Sequence, residues 1–369
     1  MKKSSSNYRF LFAGGGTGGH LFPAIAVAER IRKMLPDAEI MFVGTRSKIE
    51  GRIVPKLGFK FSSIWIKGFS RKLNFENLLF PLKLSISLVQ SLLINMKFKP
   101  KVAIGSGGYV SGPAIWGSSV MGAKVILLEQ NSYPGITTKL LERYASEIYL
   151  SFEDSEKYFK HKNKLSITGN PVRESLIKIN KCDALNHFEL DPSNKTLFVL
   201  GGSLGAVSIN KAVEKFIKYD YTEDINIIWQ TGKNYFELYK DLASKNIIVI
   251  DFINDMNLAY SACDLLVSRA GATTIAEIIA LGIPAILVPS PNVAENHQFY
   301  NAKSLSDRNA AILLGDSNLF DTFTENTMNL LMDKKRLEEI SNNVRSLYKV
   351  NAAEVIANNV IEYCKDGKP

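Results

Sequence analysis

The chain has 369 residues, 46% of them hydrophobic and 22% charged. Those proportions exclude disordered, collagen-like and coiled-coil classes, and the length points to two domains at about 100–200 residues each. Lys and Arg number 45 against 36 Asp and Glu, a formal +9, which suits anionic lipid, phosphate-bearing ligands or nucleic acid without choosing among them.

In chain order, strand and helix signals alternate. Tyr8–Ala13 is a short apolar strand that runs into Gly14-Gly15-Gly16-Thr17-Gly18-Gly19-His20 and then a helix over Phe22–Met34. Strand Glu39–Val43, a polar helix near Lys48–Leu57 and strand Phe61–Ile66 follow. A long apolar helix comes after Asn74, and short strands over Val102–Ile104, Val125–Leu128 and Glu147–Leu150 complete a first lobe. Short apolar runs bounded by glycine and polar residues are the mark of buried parallel strands. The rhythm breaks at Thr168-Gly169-Asn170-Pro171 and restarts with strand Thr196–Leu200, the turn GGSLGA and a helix near Val207. Strands over Ile225–Trp229, Ile247–Ile250, Leu265–Val267 and Ala285–Val288 follow. The two restarts, FLFAGGGTGG and LFVLGGSLGA, read as paired Rossmann-like lobes, residues 1–170 and 171–347, with the last helix, about 348–369, crossing back to the first. A cleft at the carboxyl ends of the strands is the expected ligand site.

Three far-separated cysteines (Cys182, Cys263, Cys364) and four histidines make a disulfide framework or a zinc site unexpected, and a reducing compartment fits. The start lacks a long apolar run and a cleavage site, so no signal peptide is expected. The uncharged part of the long helix, Leu84–Met96, falls short of the roughly 20 apolar residues a membrane span needs. A helix lying partly against a bilayer surface is the better reading.

Four glycine turns follow strands: the loop at Gly14–Gly19, Gly105–Pro113 with Gly107, Gly108 and Tyr109, Gly201–Gly205, and Arg269–Glu277. Glycine admits a ligand close to the backbone, and the N–H groups at a helix start favour anions. Four such turns exceed what one dinucleotide needs and fit two phosphate-bearing ligands. Gly14, Gly16 and Gly19 also satisfy G-x-G-x-x-G, but the strand ending Phe42-Val43-Gly44-Thr45 has no acid for a nicotinamide ribose. Glu277 can take a ribose diol or be a solvated helix residue. Arg173 can face a phosphate or form a salt bridge.

GGGTGGH, GSGGYVSGP, LLEQN, GNPVR, GGSLGA, SRAGATTIAE and ENHQFYNA occur in this order. Together they resemble the MurG family of bacterial peptidoglycan glycosyltransferases, from about Phe10 to Ala302. The resemblance implies a GT-B fold of two Rossmann-like domains, the first binding acceptor and membrane, the second UDP-sugar. It implies inverting transfer of N-acetylglucosamine from UDP-N-acetylglucosamine to the C4 hydroxyl of undecaprenyl-pyrophosphoryl-MurNAc-pentapeptide, which turns lipid I into lipid II for the cell wall. No metal or other cofactor is implied, and the chain has no D-x-D triplet. The donor contacts implied are Ser203 on the diphosphate, Arg173 on the nucleotide side, the Ile253 backbone on uracil, Ala272, Thr273 and Thr274 on sugar and phosphates, and Glu277 on ribose. Gln298 and Asn131 would hold sugar hydroxyls, with His297 replacing or assisting Gln298, and Thr17, Gly18 and Gly19 would close over the donor. Gly15, Gly16, Gly107, Gly108 and Tyr109 would meet the acceptor. The base is His20 or its rival Glu129, and His20 can instead bind the acceptor's pyrophosphate.

A polyprenyl acceptor places the enzyme at the cytoplasmic face of the inner membrane as a peripheral protein. Residues 67–101 hold seven Lys or Arg and one acid, a pattern that suits an anionic surface. Leu79, Phe80, Leu84 and Trp116 are candidate inserting residues, with Lys72 and Lys83 beside them, and about half of these apolar residues are expected in the core. Other cell-wall synthesis proteins are conceivable partners. The rival readings are a UDP-sugar 2-epimerase or a transferase to another acceptor, a nicotinamide or flavin oxidoreductase, and a nucleic-acid-binding module. The last has only net charge in its favour, so nucleic acid is not expected as a partner.

Overall fold

A computed structural model describes residues 8–68, 79–202 and 204–365. The chain divides into two compact units, Met1–Glu174 with Lys349–Pro369, and Ser175–Tyr348.

The first unit carries β1 (Arg9–Ala13), α1 (Gly18–Met34), β2 (Glu39–Gly44), α2 (Ile49–Lys56), β3 (Lys60–Ser63), α3 (Phe80–Phe98), β4 (Val102–Gly105), α4 (Ser111–Val120), β5 (Lys124–Glu129), α5 (Ile136–Leu141), β6 (Glu147–Leu150) and β7 (Leu165–Ile167). Its strands form a sheet in the order β3-β2-β1-β4-β5-β6-β7, and the pairings are parallel, Phe12 lying opposite Phe42 on one side and Ile104 on the other. β1 is apolar on both faces because both are covered. Phe10 and Phe12 pack with α1, while Leu11 and Ala13 pack with Ala114 and Ile115 of α4. That double burial explains an unbroken apolar run where a half-exposed strand would alternate.

The second unit holds α6 (Lys181–His187), β8 (Lys195–Leu200), α7 (Val207–Tyr219), β9 (Ile225–Gln230), α8 (Phe236–Tyr239), β10 (Ile247–Ile250), α9 (Met256–Ala262), β11 (Leu265–Ser268), α10 (Ala272–Leu281), β12 (Ala285–Leu287), α11 (His297–Ser306), β13 (Ile312–Leu313), α12 (Leu319–Met332) and α13 (Lys334–Ser346). Its sheet runs β10-β9-β8-β11-β12-β13, again parallel. Both orders are those of a doubly wound sheet, built outward in two directions from the first strand.

The last helix, α14 (Ala352–Lys365), belongs to the first unit and buries Ile356, Ala357, Val360 and Ile361 in the cluster that holds α1. Arg30 of α1 reaches Glu354 at 2.6 Å and Glu174 at 3.3 Å. This cluster marks where the chain leaves the first unit and where it returns.

Several expected elements shift. α1 starts at Gly18, one turn before Phe22, because the glycines themselves form the first turn. β3 ends at Ser63 rather than Ile66. The polar stretch after Pro171 contains α6, capped by the Asn180 side chain on Cys182 N–H at 2.8 Å. The short edge strands β7 and β13 have only intermediate burial and carry no strong apolar run.

Candidate active site

In each unit the strand order reverses beside the first strand, between β1 and β4 and between β8 and β11. The glycine turns occupy the carboxyl ends of these strands. That is where a doubly wound sheet opens a crevice for a ligand.

In the first unit the turns after β1 and β4 are fastened together. Ser106 donates its Oγ–H to the His20 carbonyl at 2.8 Å, and Ser111 Oγ lies 2.6 Å from the Ala13 carbonyl. Gly108 has φ +79, and a Cβ there would fall 2.5 Å from the Gly15 carbonyl oxygen. Only glycine permits this approach. The Tyr109 ring lies against Gly16 and Gly68, and burial pushes its hydroxyl pKa up.

Thr17 is the N-cap residue of α1, makes no side-chain cap, and has no acid in the turn that follows. The amides of Gly18 and Gly19 therefore start a helix whose positive end no carboxylate of its own first turn offsets. Gly16 differs. Its N–H is donated to Glu50 Oε2 at 3.0 Å, and Thr45 N–H to Glu50 Oε1 at 2.9 Å. Glu50 is 1% exposed. That amide is therefore taken up in shaping the loop. Sequence reading missed Glu50, whose partners lie up to 34 residues away.

His20 sits in the first turn of α1, with Nδ1 3.1 Å from Gln130 Oε1. Gln130 donates Nε2–H to the Leu128 carbonyl at 2.9 Å. Glu129, by contrast, is buried and faces its own loop. It accepts from Asn131 N–H and Gly135 N–H, both at 3.1 Å, and Asn131 Nδ2 approaches at 3.4 Å. Burial pushes its carboxyl up to about 7 against these lowering hydrogen bonds. Glu129, the rival base of the sequence reading, thus ties together the loop that runs from Asn131 to Gly135. Asn131, one of its partners, is half-buried. Arg173 falls in the first unit, near Glu29.

In the second unit, α10 begins at Ala272 behind Gly271, with no side-chain cap and no acid in its first turn. Thr273 Oγ1 is buried there without a hydrogen-bond partner among the described residues. Such a hydroxyl at an uncapped helix start suits an anionic oxygen. Thr274 lies in the same turn. Glu277, one turn on, is not the solvated helix residue that one reading allowed. It is 8% exposed and accepts from the Tyr260 hydroxyl at 2.8 Å.

Ile253 N–H is donated to Gln230 Oε1 at 2.9 Å, and Gln230 Nε2–H to the Gly202 carbonyl at 3.1 Å. Gln230, another residue missed in the sequence, thus ties the turn after β8 to the segment after β10. Arg269 bridges Asp316 at 2.6 Å, Ser208 at 2.8 Å and the carbonyls of Val288 and Pro289. Gln298 accepts from Ser290 N–H at 2.9 Å. Ser203 and Lys72 lie outside the described residues. Among the described residues no group of His, Cys, Asp or Glu is arranged to hold a metal ion.

Similarity to known proteins decides the family. Residues 10–150 match the glycosyltransferase family 28 N-terminal domain, and residues 196–360 match the corresponding C-terminal domain. The chain is 42% identical over 364 residues to the UDP-N-acetylglucosamine--N-acetylmuramyl-(pentapeptide) pyrophosphoryl-undecaprenol N-acetylglucosamine transferase of Flavobacterium psychrophilum, covering 98% of this chain and 99% of that one. It belongs to the MurG family of glycosyltransferases. The same-named protein of Cytophaga hutchinsonii is also 42% identical, with 96% of each chain covered. A crystal structure of Acinetobacter baumannii MurG matches with a TM-score of 0.77 at 27% identity, covering 96% and 99% of the two chains. The MurG fold is GT-B, and the two parallel sheets above are its halves.

The expected membrane residues divide. Leu79 is exposed, Phe80 and Trp116 are half-buried, and Leu84 packs against the core. Lys83 is corrected from a surface charge to a buried one, its Nζ 5.6 Å from the Trp65 ring centroid. The exposed row of α3 is instead Leu82, Val89, Leu93 and Met96. Its inward row is Lys83, Ser87, Ser91 and Asn95. Ser87, Ser91 and Asn95 each bond a carbonyl within the helix, and Ser118 of α4 donates to Asn95. A Cβ on Gly117 would come 3.2 Å from Ser91 Cβ. Small side chains thus let α3 and α4 approach closely while the apolar row faces out, the reverse of a helix made for water on its outer side. No described helix is long and apolar enough to cross a membrane.

Proposed function

We propose that the chain transfers N-acetylglucosamine from UDP-N-acetylglucosamine, with inversion, to the C4 hydroxyl of undecaprenyl-pyrophosphoryl-MurNAc-pentapeptide. The observation that carries this is the near-full-length 42% identity to a transferase named for that reaction. An uncapped helix start beside the switch point of each sheet supports it.

The second unit binds the donor. The amides of Ala272, Thr273 and Thr274 and the Thr273 hydroxyl meet the diphosphate, and Glu277, oriented by Tyr260, meets the ribose. The Ile253 carbonyl faces uracil, with Ser203 on the diphosphate and Gln298 on the sugar. Asn131 and Arg173 of the first unit, with Thr17, Gly18 and Gly19, complete the donor contacts. The first unit receives the acceptor through Gly15, Gly107, Gly108 and Tyr109.

In the transfer, the acceptor oxygen forms a bond to the anomeric carbon as the carbon–oxygen bond to UDP breaks. The electron pair leaves on the diphosphate, whose growing charge the α10 N-terminus stabilises. The hydroxyl proton passes to His20 Nε2. The outward row of α3, with the basic residues near it, rests on an anionic bilayer at the cytoplasmic face of the inner membrane. The exposed apolar side chains there support this.

Purified protein given labelled donor and a lipid I analogue is expected to yield labelled lipid II. Release of N-acetylmannosamine and UDP from donor alone would identify the epimerase reading instead.

A further inference from the structure

The geometry points to Gln130 as a positioning residue that fixes which nitrogen of His20 carries the proton. This rests on the reading of His20 as the base.

Gln130 is 2% exposed, and its two amide atoms have different partners. Nε2 donates to the carbonyl of Leu128, a residue held in β5. Turning the amide over would set Oε1 against that carbonyl, acceptor against acceptor, and lose the bond. Oε1 therefore faces His20, and because it can only accept, Nδ1 must donate. A neutral imidazole has one N–H, so the lone pair sits on Nε2.

The ring is confined as well as bonded. A Cβ on Gly107 would fall 2.7 Å from His20 Nδ1, and one on Gly108 would fall 3.5 Å from Cδ2. The turn after β4 thus lies against the ring, and Ser106 holds the His20 carbonyl. The order imposed on the proton runs from strand β5 through Leu128 and Gln130 to His20. An amide does this without adding charge. A carboxylate in its place would stabilise the imidazolium and fill the base with a proton before the acceptor arrived. When the acceptor proton reaches Nε2, Nδ1–H still points at Gln130, so the contact survives the transfer unchanged.

The test is nitrogen-15 NMR of the full chain labelled at histidine, with the His20 signals among the four histidines assigned by His20→Gln. The expected spectrum has Nδ1 protonated and Nε2 bare in the neutral form, with mixed tautomers in Gln130→Leu. In kinetics, Gln130→Leu is expected to lower kcat by about tenfold or more with donor KM unchanged. Gln130→Glu is expected to raise the acid limb of the kcat/KM profile by about one pH unit or more, and to retain more turnover than Gln130→Leu. Should Gln130→Leu fail to fold, Gln130→Glu reads the same contact through that limb. An Nε2–H tautomer in the unaltered protein, or an acid limb unmoved in Gln130→Glu, would overturn the inference. An Nδ1–H tautomer together with full turnover in His20→Gln would instead overturn the base reading and leave the tautomer assignment standing.

Discussion

Glu50 holds the glycine turn of the first unit by accepting the Gly16 N–H on one carboxylate oxygen while the other accepts from Thr45. Both oxygens thus act as acceptors. Glu50→Gln would set an NH2 group against one of the two N–H donors. We expect a loss of about 2 kcal/mol in chemical denaturation, and a lower kcat/KM for the acceptor with donor affinity kept. Equal stability of the variant and the unaltered protein would contradict this.

Tyr260 orients Glu277 through a 2.8 Å hydrogen bond inside the second unit. Tyr260→Phe removes the donor and keeps the ring. Loss of such a hydrogen bond costs about 0.5–1.5 kcal/mol, so donor KM is expected to rise about two- to tenfold with kcat little changed. A fall in kcat at constant KM would place Glu277 in the chemical step instead.

Glu129 gives a pH dependence of stability. Its folded pKa, pushed up to about 7, lies above the ordinary 4.5. Between these values the unfolded chain has released the proton that the folded chain keeps, so stability falls as pH rises. Below 4.5 and above 7 the contribution is flat. The stability difference between the unaltered protein and Glu129→Gln is expected to move against the former by on the order of 3 kcal/mol across that window. Denaturation at a series of pH values reads it, and a pH-independent difference would refute the shift.

The outward row of α3 predicts vesicle binding. Val89→Ser with Leu93→Ser alters two residues, 57% and 59% exposed, that the core does not use. Thermal stability should hold, while partition to anionic vesicles drops by about tenfold or more. Turnover of a water-soluble acceptor should be unaffected. Undiminished vesicle binding would move the membrane face elsewhere.

The sheets could be read from the sequence because each buried strand is a short apolar run ended by glycine, as Phe10–Ala13 and Leu197–Leu200 show. Glycine turns marked the switch points for the same reason. Glu50, Gln130 and Gln230 could not be read, because each acts on partners that spacing does not bring near, such as Gln130 on His20 across 110 residues. Lys83 misled because a lysine is taken for a surface residue, and α3 turns its polar row inward. The strands β7 and β13 escaped notice because they are only three and two residues long and half-buried, too short to write an apolar run.

The donor site in the second unit is tested most directly by a crystal structure with UDP bound. The account predicts the diphosphate against the amides of Ala272–Thr274, with a phosphate oxygen on Thr273 Oγ1 and the ribose on Glu277. UDP bound anywhere else, with Thr273 and Glu277 untouched, would contradict it.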